Sequence, residues 1–129
     1  MRLRKKRRGL KSVITWVDSA DTHASSYSSH RILDARSLAM HVLIAEKVCK
    51  DPHLIDKAKY NLQRWRERSA GEPAPWMGEW ARILTRPCLE IAAVMTDMNA
   101  TSTRLRQSSP FAGILSASER KRIYEAFRT

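Results

Sequence analysis

In the stretch ILDARSLAMHVLIAEKVCKD, Ile32 to Asp51, the residues Leu38, Val42, Ala45 and Cys49 recur at intervals of three and four. That interval lines one face of an α-helix. Met40, Leu43, Ile44 and Lys47 widen the face, so the helix has to be covered from more than one side. A helix of that kind sits at the centre of a bundle, and the neighbouring sequence has to supply its cover. The longest apolar run, Leu38 to Ala45, is interrupted by His41 and falls well short of the roughly 18 to 20 residues that a membrane span needs.

Moving toward the C-terminus, Asp51-Pro52 pairs an N-cap oxygen with a proline at the first helical position. The helix it opens, PHLIDKAKYNLQRWRERSA, carries Leu54, Ala58, Leu62 and Trp65 at helical spacing, and Gly71 follows as a stop. Pro73 and Pro75 turn the chain, because each disfavours helix in the residue before it. Trp76, Trp80, Ile83 and Leu84 then mark a third helix, and Pro87 either breaks it or starts the next one. In CLEIAAVMTDM the packing positions read as Leu89, Ala92, Ala93 and Met95, with the helix ending near Asp97. NATSTRLRQ carries the least helical signal, since Thr and Ser side chains compete for the backbone.

The segment RLRQSSPFAGILSASERKRIYEAF, Arg104 to Phe127, reads as an elbow between two helices. Ser108 and Ser109 end one helix and Pro110 blocks its continuation, while Phe111, Ile114 and Leu115 are placed to enter the core. Ser116 and Glu119 stand at capping-box spacing and start the last helix, with Ile123, Tyr124 and Phe127 as its apolar side.

On the N-terminal side the pattern changes. SVITWV, Ser12 to Val17, suits one strand or an extended tether, but no partner strand is near. DSADTHASSYSSH, Asp18 to His30, is Ser-rich and lacks apolar periodicity, as a loop or linker does. The reading is therefore a basic arm and Ser-rich linker over 1–30, and a single α-helical domain over 31–129. The expected architecture is all-α: a compact bundle of five or six helices with a flexible basic N-terminal arm. A chain of 129 residues falls within the usual size of one domain.

Lys and Arg number 24 against 13 Asp and Glu, giving +11, and seven of these cations lie in MRLRKKRRGLKS without an acid. Such an excess concentrates polyanions and acidic protein surfaces without specifying which. The arm reads as a solubilising tail, as an extension from a misplaced start codon, or as a contact to nucleic acid or a partner. The candidate contact residues are Arg4, Lys5, Lys6, Arg7 and Arg8 in the arm, with Trp16 as an aromatic anchor. To these are added Arg64, Arg66 and Arg68, interleaved with Trp65; Arg104 and Arg106 before the elbow; and Arg120, Lys121 and Arg122 after it. Solvated helix faces compete with this reading, because Glu67, Glu119 and Glu125 neutralise parts of each cluster. No secretory signal is evident, so a cytoplasmic protein is expected. Cys49 and Cys88 are too few for a disulfide framework or a zinc site and read as packing residues.

Catalytic constellations are hard to assemble from this sequence. His23, His30, His41 and His53 form no ligand pair, and His41 reads as a helix histidine rather than a metal ligand. Ser118 and Lys121 match Ser-x-x-Lys, but they lie in a first turn where capping already explains the serine-rich stretch. Glu46, Asp56, Glu79 and Glu90 read as solvent-facing helical charges, and four glycines do not make a phosphate loop. No catalytic, cofactor-binding or metal-binding residues are expected, although a site composed from distant helices is a further reading.

The combination of DARSLAMHVLIAEKV (Asp34 to Val48), LQRWRER, the PW and EW pairs between Pro75 and Trp80, and the Arg104 to Phe127 segment is similar to small bacterial proteins. These resemble the antitoxin or accessory partners of toxin-antitoxin-type operons. The likeness covers roughly residues 31–128 and leaves out the basic arm. It implies a non-enzymatic protein that binds and restrains a partner protein, such as a toxin encoded nearby, and it brings no catalytic residues. A general nucleic-acid-binding module using the arm and the arginine clusters is the alternative.

Overall fold

Helix α1, Ser25–Lys50, is the axis around which the rest of the chain is arranged. The computed structural model describes residues 25–128, with side chains from His30 onward. In order, α1 is followed by α2 (His53–Arg68), α3 (Pro75–Ile83), α4 (Cys88–Thr96), α5 (Ala100–Arg106) and α6 (Ala117–Ala126). All regular structure among the described residues is helical, so the fold is all-α. No helix among them is long and apolar enough to cross a membrane.

Helix α1 packs against α2, α4, α5 and α6, while α2 also holds α3 and α4 also holds α5. The widened apolar face has the cause inferred from sequence. Ala35, Leu38, Ala39, Leu43, Ile44, Ala45 and Val48 are all buried, and they point to several sides of the helix. Ala35 and Ala39 leave room for neighbouring backbones to approach, and the larger residues fill the gaps around them. The helix starts at Ser25, inside the segment read as a linker. Serine is only a modest helix former, but no Gly or Pro stands between Ser25 and the anchored turns, and extending an existing helix costs far less than nucleating one.

Local signals explain most of the boundaries. Asp51 Oδ1 accepts the His53 backbone N–H at 3.2 Å, with Pro52 in helical conformation beside it. Gly71, at φ +87°, closes the turn after α2, and Pro75 occupies the first position of α3. Asn99 Oδ1 accepts from Ser102 N–H at 2.8 Å, so α5 forms because an asparagine cap outweighs the Thr and Ser competition. In α6 both halves of the capping box are present: Glu119 N–H donates to Ser116 Oγ at 3.1 Å, and Ser116 N–H donates to Glu119 Oε1 at 2.8 Å.

Two faces differ from the sequence reading. In α4 the buried residues are Ile91 and Met95, while Leu89 is 79% exposed and Ala93 faces solvent. CLEIAAVM is apolar nearly throughout, so its own pattern does not choose a side; the docking of α4 onto α1 does. In α6, Ile123 and Phe127 are buried but Tyr124 is exposed, with the Arg36 guanidinium 4.3 Å from its ring centre. A tyrosine at the bundle edge keeps its hydroxyl in water and offers its ring face to a cation.

Candidate functional site

The elbow between α5 and α6 is held by side chains from α1 and α2. Asn61 Nδ2 donates to Pro110 O at 2.9 Å and to Ala112 O at 3.0 Å. Lys57 Nζ donates to Gly113 O at 3.1 Å. Lys47 Nζ donates to Ile114 O at 2.9 Å and to Glu119 Oε1 at 2.7 Å. Burial pushes the Glu119 carboxyl up, but Lys47 and the Ser116 N–H outweigh it and hold the group below its ordinary range. The elbow therefore turns carbonyl acceptors toward its neighbours and occupies two lysines in doing so. A phosphate cradle requires the opposite polarity, converging N–H donors and unspent cations.

Phe111 anchors the elbow in the core, edge-on to Trp80 at 5.5 Å and to His41 at 6.3 Å between ring centres. Trp80 is fully buried, and its Nε1–H donates to Leu105 O at 3.1 Å. His41, also buried, has Nδ1 2.7 Å from Ser37 O and Nε2 2.8 Å from Ser109 Oγ. A carbonyl can only accept, so Nδ1 carries the proton, Nε2 is the acceptor, and the Ser109 hydroxyl donates to it. Ser109 Oγ in turn accepts the Phe111 N–H at 3.3 Å. Burial lowers the His41 pKa to about 4, outweighing the raising effect of the Ser37 carbonyl, and the Arg106 charge adds to the lowering.

This serine and histidine meet at the distance a nucleophile and its base would need. The imidazole, however, is a weak base at neutral pH, and its second nitrogen is held by a backbone carbonyl rather than a carboxylate. What the pair does here is fix the first turn of the elbow onto α1. Among the described residues no group of three or more His, Cys, Asp or Glu side chains is placed to hold a metal ion.

The candidate cations fall into separate places. Arg4, Lys5, Lys6, Arg7, Arg8 and Trp16 lie outside the described residues. Arg106 is buried, with Nη1 donating to Met95 O at 3.0 Å and Asp97 O at 2.6 Å, and Nη2 donating to Thr103 Oγ1 at 3.2 Å. It caps the end of α4 from the inside, which removes it from any docking surface. Arg104 forms a two-pronged pair with Glu79 of α3, at 3.1 and 2.9 Å. Arg120, Lys121 and Arg122 are exposed on α6, which packs on α1, whereas the buried Arg106 cannot share a surface with them. The two arginines before the elbow thus serve different neighbours, Arg104 the Glu79 carboxylate of α3 and Arg106 the interior end of α4.

Helix α2 keeps its cations exposed. At about 100° per residue, Lys57, Asn61, Arg64 and Arg68 share the edge that faces the elbow, where Lys57 and Asn61 make their bonds. Lys59 and Arg66 fall on the opposite edge, beside Ala81, Leu84 and Thr85 of the α3 region. Arg64, Arg66 and Arg68 are exposed, and no carboxylate among the described residues pairs with any of them. Arg64 lies 5.6 Å from the ring centre of Tyr60, which is 61% exposed. Trp65 is half-buried and edge-on to Trp76 at 5.9 Å, and the two rings line a shallow groove with Met77, Gln107, Ser108 and Ser109.

Several of these contacts escaped the sequence reading. Tyr60 and Arg64, four apart on a helix, form a pair that spacing alone can find. Lys47, Lys57, Asn61 and the His41–Ser109 contact join residues far apart in the chain, and no local pattern marks them. In comparisons with protein-family models, curated proteins and solved structures, this chain matches none.

Proposed function

We propose that the protein is a non-enzymatic interaction protein of the cytoplasm, antitoxin-like, that docks and restrains a partner protein through the exposed arginines on the two edges of α2. The observation that supports this reading is that Arg64, Arg66 and Arg68 stand exposed without carboxylate partners among the described residues, while Lys47 and Arg104 are engaged by Glu119 and Glu79. Unpaired cations on a helix that is fixed to its neighbours attract an acidic surface, speed its encounter and set its register. Because α2 is held by α1, α3 and the elbow, little ordering cost is left for the moment of binding.

The test is co-expression of the tagged chain with the product of the neighbouring gene. The expected result is co-purification and relief of the neighbour's toxicity. The triple variant Arg64→Glu, Arg66→Glu, Arg68→Glu should lose the partner at least about tenfold while keeping its helical circular dichroism. Undiminished capture by the triple variant, or a chain that neither captures nor relieves its neighbour, overturns the reading.

The exposed Tyr60 beside Arg64 favours a second reading, a nucleic-acid-binding module. An aromatic face next to a guanidinium can stack on an unpaired base while the arginines track phosphates. Affinity for a single-stranded oligonucleotide should then fall steeply with salt and weaken in Tyr60→Ala; a flat salt response sinks it.

A further inference from the structure

Cys49, in the last turn of α1, and Cys88, the first residue of α4, are 39 positions apart in sequence, yet their sulfurs lie 2.8 Å apart. That is closer than unbonded sulfurs ordinarily sit and within about 1 Å of the ~2.05 Å disulfide bond. Both residues are free thiols of intermediate exposure, so a small oxidant reaches them from solvent. In the reduced protein the Cys88 S–H donates to Cys49 Sγ, and Cys49 Sγ lies 3.5 Å from Cys88 O, its hydrogen-bond acceptor. The helices that carry them are packed against each other, so the backbone brings the two side chains together without rearrangement.

We propose that Cys49 and Cys88 form a reversible intramolecular disulfide, with a peroxide as oxidant, that fastens the end of α1 to the start of α4. In the first step the Cys88 thiolate attacks one peroxide oxygen. The O–O bond breaks, hydroxide leaves and takes up a proton, and Cys88 becomes a sulfenic acid. In the second step the Cys49 sulfur attacks the sulfenic sulfur, the S–S bond forms, the S–O bond breaks and water leaves. The two thiols lose two electrons and two protons, and one hydrogen peroxide becomes two waters. Burial, with the Cys88 hydrogen bond adding to it, pushes the Cys49 thiol up to about 11, which makes Cys49 a poor first nucleophile, and the first attack is accordingly written for Cys88. A dithiol such as dithiothreitol reverses the bond by exchange.

The two cysteines drew attention in the sequence only as packing residues, because nothing in their spacing brings them together. The proposal is independent of what the basic surface binds. Its test treats the full chain with hydrogen peroxide under native conditions and counts alkylatable thiols by mass spectrometry. The expected result is loss of both thiols, a monomer on a non-reducing gel, and a mass lower by two hydrogens, all restored by dithiothreitol. Thermal unfolding should shift upward by several degrees on oxidation in the wild type, and not in Cys49→Ser or Cys88→Ser. Disulfide formation should also be faster in the folded chain than in concentrated guanidinium. Retention of both thiols, disulfide-linked dimers, or a rate no faster in the folded state would each overturn the proposal.

Discussion

His41 shows how one side chain ties an elbow to a core and carries a cost in acid. Its pKa is lowered by burial to about 4, whereas in the unfolded chain it titrates near its ordinary value. Between those two values the unfolded state binds more protons than the folded one, so stability rises with pH across the window. The stabilisation is fully present above the unfolded value and drains away as pH falls toward about 4; the shift corresponds to on the order of 3 kcal/mol. Guanidinium melts from pH 7 down to pH 4 should show this loss, and His41→Leu, though less stable at neutral pH, should show a flatter profile over the same range. Coincident slopes for the two proteins would assign the acid sensitivity elsewhere. Arg106 illustrates the opposite lesson for sequence reading. Its neighbour Arg104 is solvent-facing and paired, and nothing in RLRQ distinguishes the buried guanidinium from the exposed one. The distinction arises because the free carbonyls of Met95 and Asp97 at the end of α4 need donors, and only Arg106 points at them.

At the scale of elements, caps were legible and faces only partly so. The capping box of α6 and the glycine after α2 depend on neighbours within a turn and stand where the sequence placed them, while Pro52 serves as the cap of α2, one position before the first helical position expected of it. The apolar face of α4 depends on which side α1 approaches, and CLEIAAVM offers hydrophobic groups on nearly every side. Two substitutions measure this directly. Leu89→Ser should change stability by no more than about 0.5 kcal/mol, while Ile91→Ala should cost roughly 2 to 4 kcal/mol, as read by chemical denaturation. Equal costs at the two positions would contradict the observed phase of the helix. Gly113 provides a second comparison at this scale, since it sits at φ +86° in the elbow, with Lys57 Cε 3.0 Å from where a Cβ would stand. Gly71 has a similar φ of +87° but open space around it. Both alanine variants pay for the left-handed backbone, about 1 to 2 kcal/mol, and Gly113→Ala should be the more destabilising because it also displaces the Lys57 bond.

Across the whole molecule, the elbow and Trp80 form the junction on which α3, α5 and α1 converge. Trp80→Ala removes a fully buried indole, the bond to Leu105 O and the ring contact with Phe111, and should cost roughly 3 to 5 kcal/mol. Tryptophan fluorescence and far-ultraviolet circular dichroism should lose structure together on heating, because elements packed around one helix share one core. Separate transitions would show that α3 folds independently of α1. The sequence by itself determined that the chain is helical, where most helices begin and end, that Ile32 to Asp51 lies at the centre, and that the protein carries a large positive charge. Those properties depend on periodicity, on caps within a turn and on composition. Only the tertiary structure decided that Arg64, Arg66 and Arg68 find no carboxylate among the described residues while Arg106 is interior, that Lys57 and Asn61 hold the elbow, and that Cys49 meets Cys88. Each of these follows from how the helices are oriented around α1, which no local run of residues encodes.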